Sequence, residues 1–239
     1  MTREEEQYRE NDVLALEKPT EGKCVVITIV CAVSRNTSTH RHPLRRDTPP
    51  ARHSRTHTRT HIYAGFLCPL SANTYGIHFL HFLVRDGDAD PPRVLFEVAT
   101  GEQSIDAVNA MLDSLSLEER EEAEKQIRVV NYSFPKSVLE SKTIRTMLEF
   151  KVGDQPVKDF RMIERHYVQG SLLRSYDFTV PFCIPGSTNT WEAIYDVPET
   201  SQTTKDVMLA QPGAHVSDSF YFIEGKMVMH LKAVYTYTN

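Results

Sequence analysis

The sequence predicts an all-β fold, a sandwich of two sheets, and three observations carry that prediction. Over residues 172–184 the side chains alternate, with Leu172, Tyr176, Phe178, Val180, Phe182 and Ile184 on one face and Ser175, Asp177, Thr179 and Cys183 on the other. About eight strand-like runs, separated by short turn-forming segments, recur along the chain. A clear helical period is confined to one interior stretch, residues 105–126.

Taken in order, residues 75–84 read as a long two-sided strand, the turn-rich residues 85–92 end it, and residues 93–98 return as its partner. Ile105, Val108, Met111, Leu112 and Leu115 then recur at helical spacing. Ser116 and Glu119 form a capping-box signature ahead of a second, acidic helix, which is expected to cover a sheet edge. Strands return at 127–134 and 143–152, with Gly153-Asp154 supplying a hairpin turn before Val157. The strand that follows groups Phe160, Met162, Glu164, His166 and Val168 on one face. After the strand of residues 172–184, a loop leads to Trp191, and residues 192–210 are weakly amphipathic. A final hairpin pairs 219–223 with 227–237 through Glu224-Gly225-Lys226, with Met227, Met229, Leu231, Ala233, Tyr235 and Tyr237 sharing a face.

The chain has 239 residues, 40% of them hydrophobic, enough for a sizeable core in one large or two small domains. A net charge of −5 gives no global reason to expect nucleic acid as a partner. Cys24, Cys31, Cys68 and Cys183 are too far apart for a Cys-x-x-Cys motif, so a reducing, cytoplasmic setting is expected. The acidic start is unlike a secretory signal, and the apolar run from Cys24 to Val33 is about half the ~20 residues that span a bilayer. No membrane insertion is expected, and Thr2 stands where N-myristoylation of the chain itself would require Gly.

Residues 22–65 break the pattern, with seven Arg and five His against one acid, Asp47, and a repetitive end built of His, Thr and Arg. His53, His57 and His61 stand four apart as zinc ligands might, but the sequence around them is a poor helix former and nothing completes a site, so no metal is expected. A basic disordered arm is a second reading. The preferred reading is a retained intron, because Gly22-Lys23-Cys24 is encodable as a splice donor and Tyr63-Ala64-Gly65 as an acceptor. The expected organisation is an N-terminal docking segment at 1–21, this low-complexity window at 22–65, and a β-sandwich at 66–239.

Catalytic signatures are absent: the chain has no nucleophile elbow, Walker loop, dinucleotide fingerprint or His-Glu-x-x-His. Asp86, Asp88 and Asp90 alternate like calcium ligands, but Gly87, Pro91, Pro92 and the missing distal Glu fit a hairpin loop. The chain is therefore expected to be no enzyme and to need no cofactor. What stands out is Glu164, a carboxylate on an apolar face. It must meet either a basic neighbour such as Arg165 or Arg174, or the hydrogen-bond donors of a ligand whose other end is apolar. His166 has the same two readings.

The run Phe160-Arg161-Met162-Ile163-Glu164-Arg165-His166-Tyr167 carries a family resemblance, together with residues 149–157, Phe182-Cys183-Ile184-Pro185, Ile194-Tyr195-Asp196, Asp218-Ser219-Phe220-Tyr221-Phe222 and Val228-Met229-His230. These segments resemble the GMP-phosphodiesterase delta-subunit family, and within it the uncoordinated, retinal-protein-four branch. The resemblance covers residues 66–237 apart from an insert at about 101–125, and Thr20-Glu21-Gly22 joined directly to Phe66-Leu67-Cys68 gives the family's usual continuation. It implies an immunoglobulin-like β-sandwich with a hydrophobic lipid pocket between its sheets. The implied function is a monomeric carrier for N-myristoylated proteins, moving them through the cytoplasm toward cilia and other membranes. Cargo release by a GTP-bound ADP-ribosylation-factor-like small GTPase is implied with it. Carried over residue by residue, Tyr132 and Glu164 would read the cargo peptide with His166 nearby. Tyr195 and Tyr221 would line the pocket, and Phe82, Phe134, Tyr176, Phe178 and Phe182 would wall it. Val138 stands in place of a family aromatic, and residues 187–191 are worded more like the prenyl-binding branch. The alternatives are therefore a prenyl carrier or a solid-cored adaptor.

Overall fold

Why these residues make two sheets is visible in the computed structural model, which describes Cys24–Ala32 and residues 65–99 and 102–238. The docking segment expected at 1–21 and most of the 22–65 window lie outside the described residues. The strands are β1 (Cys24–Ala32), β2 (His78–Asp86), β3 (Arg93–Ala99), β4 (Val129–Pro135), β5 (Thr143–Lys151), β6 (Val157–Val168), β7 (Ser171–Cys183), β8 (Thr188–Asp196), β9 (His215–Ile223) and β10 (Lys226–Thr238). The helices are α1 (Glu102–Asp113), α2 (Leu117–Ile127) and α3 (Gln202–Ala210). Two five-stranded sheets result, in the orders β1-β8-β5-β2-β3 and β4-β10-β9-β6-β7.

Turn chemistry fixes the long hairpins of the second sheet. Gln169 and Gly170 (φ 50° and 81°) join β6 to β7, and Glu224 and Gly225 (φ 49° and 78°) join β9 to β10, the left-handed pairs that match strand twist. The hairpin expected at Gly153-Asp154 is instead a passage between sheets, since β5 and β6 lie in different ones; Gly153 answers a close approach, its N–H donating to Tyr75 O at 2.9 Å where a Cβ would sit 2.8 Å from that oxygen. Between β3 and β4, α1 and α2 form a helical hairpin. Ser116 and Glu119 close the expected capping box at the start of α2, which packs beside β4, an edge strand.

Several expectations are corrected. Residues 192–196 belong to β8, a strand between β1 and β5 on which Trp191, Ala193 and Tyr195 alternate inward; the helix begins only at Gln202. The ladder of β4 with β10 is parallel, because the helical hairpin lets the chain cross over before β4 begins. Cys24–Ala32, assigned above to the low-complexity window, is a strand antiparallel to β8, as its run of Val, Ile and Thr favours. Strand β2 starts at His78 rather than residue 75, since Gly76 turns at φ 61° and the Asn73 side chain bonds both the N–H and the carbonyl of Ile77.

Strict alternation also fails at two places. At the end of β7, Cys183 is fully buried while Phe182 and, just past the strand, Ile184 are 47% and 43% exposed. The partner strand shows why: Asp159 takes a left-handed φ of 49°, so Lys158 and Asp159 both face solvent and the buried pair becomes Val157 with Cys183. In β10, a register shift between Met227 and Met229 turns Met227 onto the outer face and leaves Val228 in the core.

The outer face of the second sheet is covered by the start of the domain. Leu67 and Cys68 pack on Ile163, Phe220, Phe222 and Met227. The Leu67 N–H donates to His230 Nδ1 at 3.1 Å, Arg128 lies 3.8 Å over the Phe66 ring, and the Arg128 guanidinium donates to the Cys68 carbonyl.

Candidate functional site

Between the sheets the core is not one cluster but two. The first gathers Phe150, Phe160, Phe178, Val180, Trp191 and Tyr221, and the second Val84, Leu95, Phe134, Ile144, Ala233 and Tyr235. Tyr195 touches both. Around the division stand inward-facing side chains that remain only half-buried: Phe79, Leu148, Met162, Tyr195, Met229 and Leu231 on one side, Phe82, Phe96 and Tyr132 on the other. In a solid sandwich such side chains would be closed off by close packing. Their residual accessible surface shows that the interior is not closed off there, and the side chains around it are apolar and aromatic.

The register of the second sheet grades this part of the interior from apolar to polar. Met162 lies between Phe178 and Tyr221, the next inward residue, Glu164, between Tyr176 and Ser219, and the next, His166, between Arg174 and Ser217. The Glu164 carboxylate lies 3.5 Å from His166 Nε2 and keeps 21% of its side-chain surface accessible, against 11% for His166. Tyrosines surround it. Burial first, and the Glu164 charge second, push the phenols of Tyr132, Tyr195, Tyr221 and Tyr235 upward. Burial also raises Tyr176, opposed by Arg174. These phenols stay protonated, so the site offers one anionic acceptor among neutral hydroxyl groups.

Of the residues singled out in the sequence, Tyr132, Glu164, His166, Tyr176, Tyr195 and Tyr221 are brought together at the division of the core. Phe178 packs edge-on against Trp191 at 5.4 Å, in the first cluster. Phe82 and Phe134 lie in the second, where Phe96 stands 4.7 Å from Tyr132 and Val138 packs alongside. Phe182 does not join them; the phase change in β7 puts it in solvent. As for Glu164, the ion contact is with His166, while Arg165 lies on the opposite face, 5.9 Å over the ring of Phe220.

Sequence reasoning passed over Phe79, Phe96, His215 and Ser217; it weighed Arg174 only as a partner of Glu164, and placed Tyr235 and Tyr237 on a strand face without assigning them to the site. Tyr235 and Tyr237 share the parity of Leu231, a usable signal. His215 and Ser217 precede the strand expected at Ser219 and carried none. Among the described residues no group of three or more His, Cys, Asp or Glu could hold a metal ion, and no helix is long and apolar enough to cross a membrane.

A family model described as GMP-PDE, delta subunit, matches residues 71–237. Protein unc-119 of Caenorhabditis briggsae is 44% identical over 176 residues, which cover 74% of this chain and 75% of the relative. Protein unc-119 of Caenorhabditis elegans is 43% identical over 74% of both chains. Protein unc-119 homolog B of Homo sapiens is 39% identical over 74% of this chain and 67% of the relative.

Proposed function

The chain belongs to the GMP-PDE delta-subunit family, and from that premise we propose that it is a lipid-binding carrier for N-myristoylated proteins. The observation that carries this reading is the incompletely closed interior between the sheets, where apolar and aromatic side chains keep accessible surface beside one carboxylate among tyrosines. An acyl chain fills the apolar part, and the amide N–H groups of the first cargo residues are donors suited to Glu164. Burying a myristoyl chain contributes roughly 0.8 kcal/mol per CH₂, on the order of 10 kcal/mol in all, while the same chain holds a bilayer with K of only ~10⁴ M⁻¹. A preformed pocket that adds hydrogen bonds therefore competes with membrane.

Binding that strong needs a second protein state of lower lipid affinity for release, stabilised by a partner that prefers it. In this reading the partner is a GTP-bound ADP-ribosylation-factor-like small GTPase, and delivery is toward a membrane such as that of a cilium. No chemical step is assigned to the chain. The test is fluorescence anisotropy with a myristoyl-glycyl peptide, a prenyl-cysteine peptide and an unlipidated control, each with and without activated GTPase. Preference for the first, reversed by the GTPase, is expected. Preference for the second would make the chain a prenyl carrier, and equal weak binding to all three would leave a protein adaptor.

The domain reading is part of the proposal: residues 66–239 form the lipid-binding unit, and residues 22–65 derive from a retained intron. Sequencing the transcript decides the latter, and an mRNA that keeps those codons would refute it.

A further inference from the structure

At the polar end of the space three contacts run in series across three strands. The Tyr237 hydroxyl lies 2.5 Å from His215 Nδ1, His215 Nε2 lies 3.0 Å from His166 Nδ1, and His166 Nε2 lies 3.5 Å from a Glu164 oxygen. The series is held in place by packing: His215 stacks on Tyr235 at 4.1 Å and 19°, and the Tyr235 and Ser217 hydroxyls pair at 3.1 Å. His166 and His215 are 8% and 2% exposed, so water does not substitute for these contacts.

Each neutral imidazole has one N–H, so the series can be protonated in only two directions. In one, the Tyr237 O–H donates to His215 Nδ1, the His215 Nε2–H donates to His166 Nδ1, and the His166 Nε2–H points at the carboxylate. In the other, His166 donates toward His215 and turns a bare lone pair toward Glu164, which is repulsive. The carboxylate selects the first direction. Burial, followed by the charges of His166 and Arg174, lowers the proton affinity of His215, consistent with a one-proton ring. The other ionisable groups around the series are Arg174 and Tyr176 on β7, Tyr235 on β10, Tyr132 on β4 and Tyr195 on β8.

We infer that His215 and Tyr237 are positioning residues for ligand binding: acting through His166, they fix its Nε2–H toward Glu164 and hold that carboxylate as an oriented acceptor for the amide N–H groups of an acylated peptide. The inference rests on the carrier reading and deepens it. His166 uses one edge of Glu164, and the accessible remainder of the carboxylate faces the space between the sheets. A ligand ending in amide donors is favoured over one ending in a carboxylate, such as a free fatty acid, which would meet like charge.

Two substitutions at one position separate positioning from mere packing. In His215→Gln the side-chain amide reaches where Nε2 was and still donates to His166. In His215→Asn it reaches where Nδ1 was, keeps Tyr237 and loses His166. Myristoyl-glycyl peptide affinity is expected to fall about 3–10-fold in His215→Asn and about 3-fold in Tyr237→Phe, the value of one hydrogen bond, and to be largely retained in His215→Gln. Affinity for myristic acid is expected to change little in any of them.

A second measurement needs no variant and no ligand. Long-range ¹H–¹⁵N NMR of the unmodified protein is expected to show His166 protonated at Nε2 and bare at Nδ1. Equal affinities of His215→Gln and His215→Asn, or a His166 protonated at Nδ1, would overturn the inference. Failure of the unmodified protein to bind any acylated peptide would instead overturn the carrier reading, and the proposed role with it, even with that tautomer in place.

Discussion

Glu164 shows what a single residue contributes. A carboxylate between two sheets is tolerated because it keeps accessible surface, has His166 at 3.5 Å and stands among protonated phenols. Alternation along β6 placed it on the inner face but left its partner open, and that partner proved to be an imidazole of the same strand. Glu164→Ala is expected to weaken myristoyl-peptide binding about tenfold or more, the value of a hydrogen bond to a charged group, with the fold intact. Titration calorimetry beside circular dichroism checks this; unchanged affinity would leave Glu164 as the companion of His166 alone. Phe178 and Phe182 make a second contrast. Phe178 is 4% exposed and Phe182 47%, so Phe178→Ala is expected to cost about 3–5 kcal/mol in denaturant unfolding and Phe182→Ser within about 0.5 kcal/mol. Equal losses would restore Phe182 to the wall of the pocket.

At the scale of elements, what could be read ahead of the structure followed local chemistry. The capping box at Ser116 and Glu119 and the β9–β10 hairpin each depend on neighbours in sequence, and each forms as expected; the hairpin expected at Gly153-Asp154 does not, because which sheet the next strand joins is not a local property. Ser116→Ala is expected to destabilise α2 by about 0.5–2 kcal/mol, seen as faster amide exchange in that helix, while peptide affinity stays unchanged. Strand β8 was missed because Thr188, Asn189, Thr190 and Glu192 obscure a short inward alternation, and its role comes from pairing with strands distant in sequence. The phase changes in β7 and β10 escaped for a related reason. Such a phase change is a decision made by two strands together, and periodicity within one strand carries no trace of the left-handed Asp159 in its partner.

On the scale of the whole molecule, two buried histidines on opposite faces of the second sheet link stability to pH. Burial lowers the proton affinity of His215, reinforced by His166 and Arg174. It also lowers that of His230, against the opposing pull of Asp218. The unfolded chain therefore binds more protons than the folded one below the usual imidazole value of 6.5. Stability is expected to be level above that pH and to fall as the pH drops through it, by up to about 1.4 kcal/mol per pH unit for each histidine. Urea unfolding at a series of pH values measures the slope, and His215→Gln should remove one share of it. A shorter chain with Gly22 joined to Phe66 is expected to keep both fold and peptide affinity; loss of either would make β1 an integral edge of the first sheet. The sequence by itself determined the all-β class, the inner face that carries Glu164 and the aromatic stock of the interior, because alternation and turn preference are properties of adjacent residues. Only the tertiary structure decided that the core divides in two, that Phe182 leaves the wall, and that His215 and Tyr237 reach Glu164 through His166. Those outcomes depend on register between strands far apart in the chain and on how completely two facing sheets close on each other.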